Sequence, residues 1–433
     1  MHLWRGPAIV VVCALLLVSP FDAATRKKTA TAASVSPAVR AASLQKVASH
    51  LEESAGAVLE QPGALVPVFE RLYRLSSSQT RSPVHIIHFG DSHTAADDWT
   101  GGMREMWKAR FGDGGSGFSL AGRPFLGYRR FDVHGGGTPG WHSEGLRAAT
   151  GDGYFGLGGI SISTAQAGQS VYIDTECDHL EVDYLQQPGG GDLALYDHDQ
   201  RLEEFSTEGA IAPGYFRYQS YSGPHRFLLK TLNSRPVRLF GWVAERDEGV
   251  TYEALGINGA EAGVMMRWDE SMLATYLQLR NPGLIVLAYG TNEASDPNLG
   301  PETYQATFSA LLGRVRRAAP AASILVVGPA DRWARYKNGL HPVPGIDWVI
   351  AAQRKACREQ ACAFWDTRER IGGKGAIRDW VLAGLAQGDY VHFTSAGYHK
   401  LASVLFDDVM QQYETYRKAR LETADLASHG QAN

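Results

Sequence analysis

The sequence predicts an α/β domain built on a parallel sheet and interrupted in its middle by an all-β sandwich. Three observations carry that prediction. A β-rich run at 84–89 leads through a turn into a helical pattern at 98–111. The same strand–helix alternation resumes at 269 and continues towards the end of the chain. Between 117 and 246 helical periodicity is lost and short alternating strands replace it. At 433 residues the chain is long for one domain, and 44% hydrophobic residues give it material for a large core.

Residues 1–24 read as a signal peptide: Arg5 precedes eleven apolar residues at 8–18, and the small residues Ala23 and Ala24 follow. That run is too short to span a bilayer and suits a signal core. The mature chain is therefore expected to be periplasmic or secreted, with no membrane span. Ala, Ser and Thr dominate 25–43, expected as a flexible tether. Residues 44–116 give the first part of the α/β domain. It starts with an amphipathic helix at 44–59 and a second at 64–77, where Val66, Phe69, Leu72 and Leu75 recur at helical spacing.

The insertion, 117–246, offers strands at 159–164, 170–174, 179–185, 192–197, 226–231 and 236–243. Turn-rich stretches such as Pro188-Gly189-Gly190-Gly191-Asp192 separate them, the spacing of a β-sandwich. The second part of the α/β domain, 247–422, alternates helices at 269–280, 302–318 and 346–359 with strands at 284–289, 323–327 and 363–365. A helix at 395–420 closes it, and 423–433 reads as a polar tail. Arg314, Arg316 and Arg317 are expected on a solvated helix face.

A net charge of −4 and a pI near 6.4 leave no electrostatic footprint for nucleic acid. Of the four cysteines, Cys13 lies in the signal, Cys177 stands alone, and Cys357 and Cys362 are five apart. In an oxidising compartment that last pair is expected to form a disulfide, the alternative being two buried thiols. No second Cys/His pair at ligand spacing accompanies them, so neither zinc nor any other metal or cofactor is expected.

The chemistry lies at the ends of the predicted parallel strands, where open α/β sheets collect functional loops. Ser92 follows the first strand in Gly90-Asp91-Ser92-His93 and opens a segment that can aim backbone N–H groups at an anion. Asn292 follows a buried strand in Gly290-Thr291-Asn292-Glu293, and its amide can donate to a developing oxyanion. Gly259 can bring a backbone N–H to the same oxygen, with Gly256 a competitor for that role. Asp389 and His392 are three apart, a separation that lets the carboxylate reach Nδ1 and leaves Nε2 free to take a proton from Ser92. Glu293 and Asp296 are placed to order the Asn292 loop.

This set resembles the SGNH (GDSL-type) hydrolase superfamily, through Gly90-Asp91-Ser92, Gly259, Gly290-Thr291-Asn292-Glu293 and Asp389-x-x-His392. The resemblance implies a three-layer, flavodoxin-like α/β/α fold and a metal-free esterase. Ser92, His392 and Asp389 would be its triad, and Ser92, Gly259 and Asn292 its oxyanion hole. His93 departs from the Leu common there and receives no catalytic role. The run Val84-His85-Ile86-Ile87-His88-Phe89 before Gly-Asp-Ser-His-Thr narrows the likeness to exported peptidoglycan O-acetylesterases of Gram-negative bacteria, as does the long gap before Gly259. That likeness implies an O-acetylated glycan substrate and a carbohydrate-binding-like insertion. Trp141, Tyr154, Tyr215, Tyr218 and Tyr221 are candidate sugar platforms in the insertion, the alternative being core packing. Transfer of the acetyl group to a sugar, or glycan binding without catalysis, remain the competing readings.

Overall fold

The computed structural model describes residues 35–145 and 151–430. The expected signal peptide and most of the tether lie outside them. Among the described residues no helix is long and apolar enough to cross a membrane.

A six-stranded sheet forms the centre, in the order Leu59–Glu60, Ala363–Trp365, Ser323–Val327, Leu284–Ala288, Val84–Gly90 and Val250–Gly256. Its five longer-range pairings run parallel except at the edge, where Leu59–Glu60 is antiparallel to Ala363–Trp365. Successive side chains of a strand point to opposite faces, and here both faces are apolar. Ile87, Phe89, Ile285, Leu287, Ile324 and Val326 pack on one side, with helices Glu270–Arg280, Pro301–Ala318 and Gly345–Glu359. Ile86, Leu284, Val286, Leu325 and Val327 pack on the other, with Pro37–Glu53, Val66–Ser76, Asp98–Phe111 and Ser395–Gly430. The result is a three-layer α/β/α arrangement.

Strand Val250–Gly256 is absent from the sequence reading because Thr251 and Glu253 break its apolar run. Both are buried, and Glu253 is paired with Arg280. The tether expectation also fails at 37–43. Helix Pro37–Glu53 starts there, with Ser36 Oγ accepting from Val39 N and Pro37 in the first turn. At the other end the closing helix continues through the expected tail to Gly430. Arg314 is not solvated: it is buried, and it donates to the carbonyls of Met265 and Trp268.

Between the strands Val84–Gly90 and Val250–Gly256 lies the all-β part, a nine-stranded antiparallel sheet. The strands expected at 170–174 and 179–185 are one strand, Ser170–Gln186. Its polar middle, Thr175-Glu176-Cys177-Asp178, hides the continuity. It pairs along its length with Ala212–Thr231, from Ala212 opposite Gln186 to Lys230 opposite Ser170, with an irregularity between Gln219 and Gly223. These strands belong to one hydrogen-bonded antiparallel sheet. It folds around a core that includes Ile173, Leu180, Val182, Leu195, Phe227, Leu239 and Trp242.

Candidate active site

Three neighbouring strands end in register, with Gly256 opposite Gly90 and Gly90 opposite Ala288. The segments that follow them, carrying Gly259, Ser92 and Asn292, therefore leave the same edge of the sheet side by side. Gly256 settles its own role by packing: a Cβ there would lie 2.2 Å from the backbone N of Ala95. Without it the short helix Ser92–Ala95 could not rest on the strand ends. Gly259 has φ +74°, the left-handed region that glycine enters without penalty. Asp91 caps the turn that carries Ser92, its Oδ1 accepting from His93 N at 2.9 Å.

The fourth segment arrives from the far end of the chain. Ser92 Oγ lies 3.0 Å from His392 Nε2, and His392 Nδ1 lies 2.8 Å from Asp389 Oδ2. Asp389 Oδ1 accepts from the backbone N of Val391 and of His392, both at 3.0 Å, so one carboxylate closes its own turn and orients the ring. Burial works against this carboxylate. The hydrogen bonds from His392 and the two amides outweigh it and hold Asp389 below the usual carboxylate range. Tyr390, between them, has φ +59°, and its carbonyl accepts from Trp333 N at 3.1 Å. The Trp333 and Tyr390 rings stack with centroids 6.2 Å apart.

Asn292 Nδ2 donates to Ala260 O at 2.9 Å, which ties it to the loop carrying Gly259 and leaves its second amide hydrogen uncommitted. Glu293 reinforces that tie. Its Oε1 accepts from Ala262 N at 2.8 Å and its Oε2 from Gly290 N at 2.9 Å. Burial pushes the Glu293 carboxyl up to about 8, against the opposing pull of the Ala262 amide. Asp296 makes no such bridge; its Oδ1 accepts from Asn298 N in the next turn. Two participants escape sequence reasoning. Arg332 donates to Thr291 O at 2.5 Å, and the hairpin of Trp333–Tyr336 and Gly339–Pro342 carries Trp333 to the Asp389 turn. Neither sits in a motif, and only the fold brings them there.

His93 is buried, its ring centroid is 5.2 Å from that of His392, and its Nδ1 lies 2.8 Å from Tyr398 Oη. Burial lowers its pKa, so a neutral ring backs the His392 imidazole. Among the described residues no group of three or more His, Cys, Asp or Glu could hold a metal ion.

The disulfide expectation is corrected: Cys357 and Cys362 are both free and buried. Cys362 N donates to Cys357 O at 2.9 Å across the end of helix Gly345–Glu359, with Ala361 at φ +51°. That closure is a backbone helix stop, and both thiols remain unbonded beside it. The Cys362 thiol, pushed up to about 11 by burial, points to Gln360 O at 3.5 Å.

The five candidate platforms are not gathered into one surface. Trp141 packs against the β-core and donates from Nε1 to Ser170 O. Tyr218 packs on the same core, and Tyr154 packs on the core of the α/β part. Tyr215 and Tyr221 are exposed, each with a ring already engaged, by Arg217 and His225 respectively.

Residues 219–400 match the GDSL-like lipase/acylhydrolase family. The match spans Gly259, Asn292, Asp389 and His392; Ser92 precedes it. The fold is that of a solved peptidoglycan O-acetylesterase, at 24% identity and TM-score 0.71, over 83% of this chain and 99% of that one. A family two carbohydrate esterase from Clostridium thermocellum matches at 13% identity over 59% of this chain and 95% of its own. One from Cellvibrio japonicus matches at 11% over 65% and 98%, and both have TM-scores of 0.29, too low to bear on function. None of the curated proteins matches the chain.

Proposed function

We propose that the chain is a serine esterase that removes O-acetyl groups from a cell-envelope polysaccharide, with peptidoglycan the leading substrate. The observation that carries the reading is the unbroken hydrogen-bonded line from Ser92 Oγ through His392 to Asp389, at 3.0 and 2.8 Å. In this reading His392 Nε2 takes the Ser92 proton as Oγ attacks the acetyl carbonyl. The N–H groups of Ser92 and Gly259 and the free amide hydrogen of Asn292 receive the oxyanion. Collapse expels the sugar alkoxide, which takes the proton back from His392. Water, deprotonated by the same imidazole, then releases acetate and restores Ser92. Asp389, ionised and doubly anchored, stabilises the imidazolium throughout.

The hydroxyl–imidazole–carboxylate line supports acyl transfer through serine. The choice of peptidoglycan draws on the shared fold with the O-acetylesterase and on the expected export. The test is acetate release from O-acetylated peptidoglycan compared with acetylated xylan, alongside p-nitrophenyl acetate turnover. Ser92→Ala should retain the folded circular-dichroism spectrum and lose nearly all turnover. Full activity in purified Ser92→Ala would exclude the mechanism, and preference for xylan would exclude the substrate.

A further inference from the structure

We infer that a second site, in the antiparallel sheet, takes a sugar bearing a carboxylate. The inference rests on the polysaccharide reading above and places an anion-selective contact outside the triad. Residues 119–135 and the sheet beneath them enclose a cavity of about 300 Å³, at the small end of ligand pockets. Its floor is unusual. Ser119 and Trp242 lie opposite each other on paired strands and both line it. Each is almost fully buried, and neither Ser119 Oγ nor Trp242 Nε1 has a hydrogen-bond partner. Two unpaired polar groups side by side cost free energy unless something polar reaches them.

The wall supplies charge of one sign. Arg123, Arg129 and His134 line the cavity, and no Asp or Glu does. Among the described residues Arg129 makes no hydrogen bond or ion pair, and Arg123 donates only to Gly135 O, at 3.2 Å. The neighbouring Arg130 is already neutralised by Asp132 and donates to Ser116 O and Phe118 O, so it shapes the wall and has no charge to spare. Phe131, 55% exposed, gives the rim an apolar face suited to a sugar ring. Guanidinium groups without carboxylates beside an aromatic face and two free polar atoms fit an anionic saccharide better than a neutral one.

The same loop is tied to the catalytic turn. Phe131 N donates to Asp97 Oδ2 at 2.7 Å, Asp97 is also paired with Arg104, and Asp97 N donates to Thr94 O in the helix that begins at Ser92. A glycan anchored in the cavity therefore rests on a loop that is fixed to the nucleophile's own turn.

The test is calorimetric titration of the folded, full-length protein with three disaccharides. N-acetylglucosaminyl-N-acetylmuramic acid and chitobiose differ by one lactyl carboxylate, and glucuronyl-N-acetylglucosamine carries its carboxylate on the ring. At least one acidic disaccharide should bind about tenfold tighter than chitobiose. Arg123→Ala and Arg129→Ala should each cut that preference several-fold, and the double variant should abolish it, with p-nitrophenyl acetate turnover unchanged. A preference only for the muramic or only for the uronic compound identifies the source of the carboxylate. Equal binding of all three, or an acid preference that survives in the double variant, overturns the inference. Esterase activity without acid preference would sink this site alone. Acid preference without esterase activity would sink the catalytic reading and leave the site standing.

Discussion

At the scale of single residues, the site is governed by two carboxyl groups with opposite assignments. Asp389 is held below the usual range, so at neutral pH it is the anion that an imidazolium requires. Asp389→Asn keeps the shape of the turn but can present an amide N–H to Nδ1, favouring the wrong tautomer. Turnover of p-nitrophenyl acetate should fall by about 10²- to 10⁴-fold with KM little changed. A fall of less than threefold would remove Asp389 from the mechanism. Glu293 is buried and its pKa is raised, to about 8. The unfolded chain releases this proton near the ordinary value of 4.5, whereas the folded chain keeps it until about 8. Stability contributed by this group is therefore present at low pH and falls as pH rises between those values, by on the order of a few kcal/mol. In Glu293→Gln that slope should flatten in urea titrations at pH 5 and pH 8. Because a Gln amide would confront the Ala262 or Gly290 N–H, kcat should fall more than KM changes. An unchanged pH slope would show that Glu293 is ionised throughout.

At the scale of elements, helix Ser92–Ala95 owes its position to the missing side chain at Gly256. In Gly256→Ala the new methyl would meet main-chain atoms of Ala95, which cannot swing aside as a side chain could. The variant should lose about 1–3 kcal/mol in thermal or urea unfolding and lose esterase turnover with it. Wild-type activity at wild-type stability would show that the short helix can shift freely. The same element illustrates what a sequence displays. Its motif marked Ser92 as the nucleophile, and the apolar runs at 84–89, 284–289 and 323–327 marked the sheet's middle. Strand Val250–Gly256 stayed hidden because Thr251 and Glu253 break its apolar run; both are buried, Thr251 donating to Glu253 and Glu253 paired with the distant Arg280. Cys357 and Cys362 misled for the reverse reason. Their spacing suits a disulfide, but the left-handed residue between them closes a helix end by backbone bonds, and both thiols are free and buried. Trp333 and Arg332 carried no local signal at all.

At the scale of the whole molecule, the two sheets are joined by buried polar contacts as well as by packing. Tyr276 Oη lies 2.9 Å from the carbonyl oxygens of both Tyr184 and Gly214, its one hydrogen shared between them, linking a helix of the α/β part to two strands of the insertion. Arg280, at the end of that helix, contacts Glu245 of the antiparallel sheet and Glu253 of the parallel one. Burial opposes the Glu245 charge, but Arg280 and His85 outweigh it and hold that carboxyl below its usual range. One guanidinium thus neutralises acids from both sheets, so unfolding of either should expose the other's charge. The intact protein should unfold in one transition, with far-UV and near-UV circular dichroism coincident. Arg280→Met fills similar space but leaves Glu253 buried without its cation and Glu245 with His85 alone, a loss of about 3–5 kcal/mol at pH 8. At pH 4 those acids can take up protons, so the gap between variant and wild type should narrow. Native Glu245 contributes stability above its unfolded pKa and loses it only as pH falls through its depressed folded value. A gap of the same size at both pH values would show that Arg280 acts by packing alone, and separate transitions for the two sheets would show that it does not couple them.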